Sequence, residues 1–235
     1  MKQFYFLIAL LMTGATSIMA QSIKRVDSNF SDYVKLLNAS GYQAYTFDIS
    51  ELKDSTYKIT LEVKEYNSES KEPVETKELG TFKNRRMVKD FMWREIDDEE
   101  MKEIKEEAID FDNGVFSISE KIIIGLYPEN TDSIKNLLVN VENYGTSFCP
   151  LLLKKVHDEK YDKYFYAYSD RPFKVTDFKT NTFIPLVLYG SVWYDPKIEM
   201  CRFCGESEID PEMTAEILKH IPNYYVIGVT FTPEE

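Results

Sequence analysis

Along residues 57–64 the apolar side chains of Tyr57, Ile59, Leu61 and Val63 are separated by Lys58, Thr60, Glu62 and Lys64. Successive side chains of a strand point to opposite faces, so this period of two predicts an antiparallel strand with one buried and one wet face. Tyr45, Phe47 and Ile49 alternate in the same way upstream. Residues 67–73 are polar and read as a turn, with residues 74–82 returning as the partner strand. In the second half, runs rich in β-branched and aromatic residues recur at 121–127, 137–143, 148–156, 163–168, 183–194 and 223–231, each bounded by turn signals.

Three segments carry helical spacing instead. Residues 31–40 have Phe30, Val34 and Leu37 on one stripe, Ser28 or Ser31 as a cap and Gly41 as a stop. Residues 97–109 open on Asp97 or Asp98, fill the first turn with acids and show only a thin stripe of Met101, Ile104 and Ala108, which predicts a surface helix. Residues 210–221 combine Asp210 as N-cap, Pro211 at the first helical position and an apolar face of Met213, Ile217, Leu218 and Ile221, ended by Pro222. Asn113-Gly114 predicts a tight hairpin turn. These elements add up to a mainly β chain, an antiparallel β-sandwich-like fold with about three peripheral helices. An α+β arrangement is the alternative. No repeat and no Gly-, Ser- or Pro-rich linker interrupts the chain, so residues 21–235 are expected to form a single β-rich domain.

Residues 1–20 stand apart. Lys2 precedes a nine-residue apolar run at 4–12, followed by the small residues Gly14, Ala15, Thr16, Ser17 and Ala20. This is the pattern of a signal peptide cut after Ala20, although Ile18 occupies the −3 position where a small residue is preferred. The run is far shorter than the roughly 20 residues that cross a bilayer as a helix. No cysteine follows it for lipid attachment and no arginine pair precedes it. The expected destination is the periplasm or the exterior, with no membrane insertion of the mature chain. The leader MKQFYFLIALLMTGATSIMAQ, together with YDPKIEMCRFCGESEIDPEM at 194–213 and IPNYYVIGV at 221–229, resembles an uncharacterised family of secreted Bacteroides-type proteins. The resemblance implies no catalytic residue, because that family has no assigned activity.

The net charge of −12 becomes −13 once the leader, with one lysine and no acid, is removed. Such a chain is repelled by a phosphate backbone, and Arg85-Arg86 is the only adjacent arginine pair, so nucleic acid and anionic membrane surfaces are disfavoured as partners. The 43% hydrophobic content supports a full core and excludes a disordered chain.

Candidate chemistry is sparse. Cys149, Cys201 and Cys204 are the only cysteines. They read as buried thiols or as one structural disulfide with one thiol left over. The Cys201–Cys204 spacing lacks the helix start that activates a redox pair, and if the segment is extended its two sulfurs face opposite ways. A zinc site would need these three with His157 or His220, the only histidines. No cofactor is implied. His220 belongs to a helix end and His157 to a polar loop, and no nucleophile elbow, zinc-protease, phosphate-loop or dinucleotide motif occurs. Among 40 acids, Asp195, Glu206 and Glu208 are the carboxylates on which a polysaccharide hydrolase would depend. The aromatic residues Tyr164, Tyr166 and Tyr168, on one face of a predicted strand, with Trp193, Tyr194 and nearby Tyr161, are the candidate binding surface. Such rings stack on sugars or anchor a protein. The preferred reading is therefore an exported, soluble, non-enzymatic binding or interaction module of the cell envelope, its partner an envelope protein or a glycan. The alternative is the carboxylate-pair hydrolase.

Overall fold

The computed structural model describes residues 28–174 and 178–234; the leader and its cleavage site lie outside the described residues. The chain divides into two compact units between Leu36 and Leu37. Helix α1 (Phe30–Ala39) runs across that division. Its cap is neither of the serines but Asn29, whose side chain accepts from the Asp32 N–H at 3.3 Å while Asp32 Oδ2 accepts from the Asn29 N–H at 3.0 Å. That reciprocal pair satisfies two donors at the helix start. The helix ends because Gly41 adopts φ +84°, which lets the Gly41 and Tyr42 N–H groups reach back to the Asn38 and Leu37 carbonyls, both at 2.9 Å.

The second unit is mainly β; over the described residues 48% of the chain is strand, in antiparallel sheets with no closed barrel. Its first strands are β1 (Gln43–Asp48), β2 (Tyr57–Asn67), β3 (Glu75–Lys83), β4 (Arg85–Met87) and β5 (Val115–Ile118). The middle of the chain supplies β6 (Lys121–Pro128), β7 (Ile134–Val141), β8 (Gly145–Leu152), β9 (Val156–Asp158), β10 (Lys163–Phe165) and β11 (Tyr168–Pro172). The last are β12 (Phe183–Ser191), β13 (Trp193–Asp195), β14 (Met200–Arg202) and β15 (Asn223–Pro233). One sheet has the order β1-β6-β7-β8 and the other β11-β12-β15-β2-β3; β4-β5, β9-β10 and β13-β14 are two-stranded. The alternation read at residues 57–64 is realised in β2, where Ile59, Leu61 and Val63 are buried and the residues between them are not. They join Ile122, Ile124 and Leu126 of β6 and Leu137, Val139 and Val141 of β7 in one core shared by both sheets. The predicted sandwich-like layering is thus present, with its apolar faces turned toward each other.

The five-stranded sheet is buried on its other face too. Leu188, Tyr224 and Val226 pack there against Ile209, Ala215, Ile217, Leu218 and Ile221, forming a second core. Burial on both faces is why β12 and β15 read as continuous apolar runs rather than as alternating ones. The segment that makes this second layer is where expectation fails. Residues 210–221 form no α-helix: Asp210 accepts from the Glu212 N–H at 2.9 Å to make a turn, Met213 sits at φ +57°, and only Glu216–Lys219 coil into a 3-10 turn. A left-handed methionine cannot continue a right-handed helix. The segment instead places Ile209, Ala215, Ile217, Leu218 and Ile221 on the sheet one after another, and this burial outweighs a weak local helix preference. Among the described residues the α-helices are therefore α1 and α2 (Asp98–Glu107). Asp97 caps α2 as expected, accepting from the Glu100 N–H at 2.8 Å. The Asn113-Gly114 turn also forms, with Asp110 bridged to Val115, but the ladder partner of β5 is β4.

A polar chain crosses the rim of the core. Tyr168 donates to Asn223 Oδ1 at 2.8 Å and accepts from the Lys154 N–H at 2.9 Å. Asn223, 2% exposed, donates to Glu65 Oε1 at 2.8 Å and to the Tyr66 carbonyl at 3.2 Å. Burial pushes the Tyr168 and Tyr224 phenols up to about 12, from an ordinary 10.0. The unfolded chain releases these protons first, so stability is expected to be level below pH 10 and to fall as pH rises from 10 toward 12. Urea midpoints measured across that window check this, and a midpoint that stays level through it contradicts the burial of these phenols.

Candidate ligand-binding cleft

The hairpins β9-β10 and β13-β14 are each closed by an aspartate-capped turn. Asp158 Oδ1 accepts from the Lys160 and Tyr161 N–H groups at 3.1 and 3.4 Å, and Asp195 Oδ1 accepts from the Lys197 N–H at 3.0 Å. Short polar side chains that bond their own backbone favour such turns. The two tips are tied together by an ion pair, Lys160 Nζ to Glu199 Oε2, at 3.2 Å. Between them lies a concavity of about 510 Å3. Its base is Phe165, Ala167 and Val192; its walls are Tyr161, Ile198 and Met200; Asp158, Glu199 and Cys201 supply polar atoms. Tyr161, Ile198 and Met200 are 64%, 49% and 53% exposed.

The predicted aromatic set is not assembled as a single face. Tyr164 and Phe165 end β10 and Tyr168 begins β11, with Tyr166 and Ala167 outside both strands, so the three tyrosines do not share one strand. Tyr164 lies exposed and stacks on His157, its cross-strand partner, with ring centroids 4.3 Å apart. Tyr166 is half-buried beneath Lys155 Nζ, 5.7 Å away. Tyr168 faces the core and stacks on Tyr189. Trp193, a member of the candidate binding surface, is 7% exposed and belongs to the second core, stacked on His220 at 5.5 Å and tilted against Phe203 at 6.3 Å. Its indole is a packing group because the 203–221 segment covers that side of the sheet. Tyr194 stands across from Cys201 at the cleft margin, and slight burial with the nearby Glu199, Glu159 and Asp158 carboxylates raises its phenol above the ordinary range. Of the rings singled out, Tyr161 lines the cleft and Tyr194 borders it. Phe165, Ile198, Met200 and Glu199 carry no sequence signal of their own, because the cleft exists only where two hairpins separated by thirty-odd residues meet.

The cysteines are free thiols: Cys149 buried, Cys201 half-buried and Cys204 exposed. Burial, and then the Asp158 carboxylate, push the Cys201 thiol up, which disfavours the thiolate that nucleophilic or redox chemistry requires. No group of three or more His, Cys, Asp or Glu side chains is placed to hold a metal ion among the described residues. The three carboxylates considered for hydrolysis are engaged elsewhere or exposed. Asp195 pairs with Arg202 at 3.0 Å. Glu206 accepts backbone N–H bonds from its own residue, Glu216 and Ile217, which hold its carboxyl below the usual range, the opposite of what a catalytic acid needs. Glu208 is exposed, and none of the three lines the cleft. What the arrangement offers is a flat exposed ring, aliphatic walls, carboxylate acceptors and one ammonium donor, which suits binding by stacking and hydrogen bonds.

By fold and site this is a mainly β protein of antiparallel sheets with a surface cleft between two hairpins. Residues 14–233 match the family described as Domain of unknown function (DUF5041), and the chain belongs to that family. Neither curated proteins nor solved structures gave a match.

Proposed function

We propose that this protein is an exported, non-enzymatic binding module that holds a glycan in the cleft between its two hairpins. The observation that carries this reading is the exposed Tyr161 ring, which with Ile198, Met200, Asp158, Glu199 and Lys160 lines a hollow of about 510 Å3, the Lys160 ammonium lying 5.8 Å from the ring centroid. A sugar ring presents C–H groups on one face and hydroxyls at its edge. The tyrosine ring serves the first, and the carboxylates and ammonium serve the second. The leader at residues 1–20 supports an address outside the cytoplasm, where such ligands lie.

Protein produced with its leader and recovered from the cell envelope should have the mass of a chain beginning at Gln21. It should then be screened on an array of bacterial and dietary glycans, with calorimetry on any hit. Tyr161→Ala should weaken binding at least tenfold with an unchanged unfolding midpoint, whereas Tyr164→Ala, on the other face of its hairpin, should weaken it less than twofold. Binding that is indifferent to Tyr161, or no glycan bound at all, overturns the site; an uncut leader overturns the address.

A further inference from the structure

A second hollow, of about 520 Å3, opens where β1 and the turn after it approach β12 and the end of β15. Its volume falls within the roughly 300–1,000 Å3 of small-molecule sites. The floor is wholly apolar: Ile122, Leu186, Val229 and Phe231 are all buried core residues. One wall is Phe178, set edge-on to Phe231 at 5.2 Å and to Tyr57 at 5.4 Å, yet 44% exposed at the mouth. The seam is held open by β12 itself. Its pairing with β15 shifts register between Pro185 and Val187, leaving Leu186 out of the ladder and pointing into the space. Bulges of this kind re-aim side chains and interrupt pairing.

The described residues at the mouth make it acidic. Among them, Asp48 and Glu51 are the ionisable side chains lining it, alongside the polar Thr46 and Ser50. The Ser50 hydroxyl, then the Ser50 N–H, which donates to Asp48 Oδ1 at 2.8 Å, and then the Lys121 ammonium keep that carboxyl below its ordinary range. Lys121, across the ladder from Asp48, is shared with Glu142 at 3.9 Å. We propose that this hollow is a second binding site, taking the apolar chain of an amphiphile with a cationic ammonium head set between Asp48 and Glu51. The floor removes the chain from water. The rim attracts a cation and repels the carboxylate of a fatty acid with the same tail.

The probes are decylammonium and decanoate, both below their micellar concentrations, titrated into the full mature chain by calorimetry. Decylammonium should bind and decanoate should bind at least tenfold more weakly. Ser50→Trp, which plugs the mouth from the rim, should weaken decylammonium at least fivefold without moving the unliganded unfolding midpoint, and Phe178→Ala, which removes the wall, should weaken it at least fivefold while lowering that midpoint through the lost contacts with Phe231 and Tyr57. The double change Asp48→Asn with Glu51→Gln should close most of the gap between the two probes. Equal binding of decanoate, decylammonium binding that ignores the plug, or no binding by either probe overturns the proposal. The hollow shares no residue with the hairpin cleft, so Tyr161→Ala should leave decylammonium affinity unchanged, and the two sites fail independently.

Discussion

Replacing Gly228 with alanine is expected to destabilise the protein by about 3 kcal/mol, the upper end of what overpacking costs, because the obstruction is backbone. Gly228 lies in β15, hydrogen-bonded between β12 and β2. A Cβ there would stand 2.4 Å from the Ile184 carbonyl oxygen and 2.6 Å from the Phe183 ring. A flexible side-chain tip could move aside, but a carbonyl in a paired strand cannot move without disturbing the ladder. The Phe183 ring lies over the glycine and itself carries Lys64 Nζ at 3.7 Å, so the glycine is the space that lets this aromatic lie flat on the sheet. Gly125 of β6 provides the contrast, since its added Cβ would meet Leu138 side-chain atoms at 3.7 and 3.8 Å, an ordinary contact. There alanine should be neutral or stabilising by up to about 1 kcal/mol, through reduced freedom of the unfolded chain. Urea unfolding of the two variants checks both signs. Equal effects would mean that β12 does not press on β15 as described.

Asn84→Ala is expected to cost about 3 kcal/mol, from a side chain that touches no solvent and leaves several buried partners unsatisfied when lost. Asn84 is 0% exposed. Its Oδ1 accepts from the Tyr57 N–H at 2.7 Å, and its Nδ2 donates to the Leu52 and Ser55 carbonyls at 2.8 and 3.0 Å. Its backbone continues the network, accepting from the Ser119 N–H at 2.7 Å. One amide thus fastens the turn between β1 and β2, which carries the rim of the apolar hollow, to the chain leaving β3. The loss should appear as a lower urea midpoint and as faster hydrogen exchange at the Tyr57 amide. Asn136→Ala provides the comparison, because that side chain bonds Glu129 at the surface and should change stability by no more than about 0.5 kcal/mol. A full-sized loss confined to Asn136, with Asn84→Ala silent, would refute the assignment.

Much of the β architecture was legible along the chain. Strict alternation marks β2 because one of its faces meets the shared core, and the Asp97 cap announces α2 through chemistry that is complete within four residues. The runs at β6, β7 and β8 were equally visible. What was misread shares one cause. Residues 210–221 have the spacing of a helical stripe, yet those side chains are spent singly against a sheet face whose existence is not written in their own segment. Trp193 reads in sequence as part of a candidate binding surface, while its burial is imposed by Phe203, Ile217 and His220, which follow it in the chain. Tyr164 and Tyr168 looked like one face of a strand until the chain broke its ladder between them.

The sequence alone determined the secondary structure with short-range causes: the strand period, the Asp97 cap, the helix-ending Gly41, the acidic surface and the want of familiar catalytic motifs. These follow from preferences that act within a few residues. Tertiary structure decided which apolar faces are covered once or twice, which tyrosines reach water, and that two hairpins leave a cleft between them. Those outcomes depend on burial of surfaces contributed by segments far apart in the chain, and no local pattern records the partner that a face will meet.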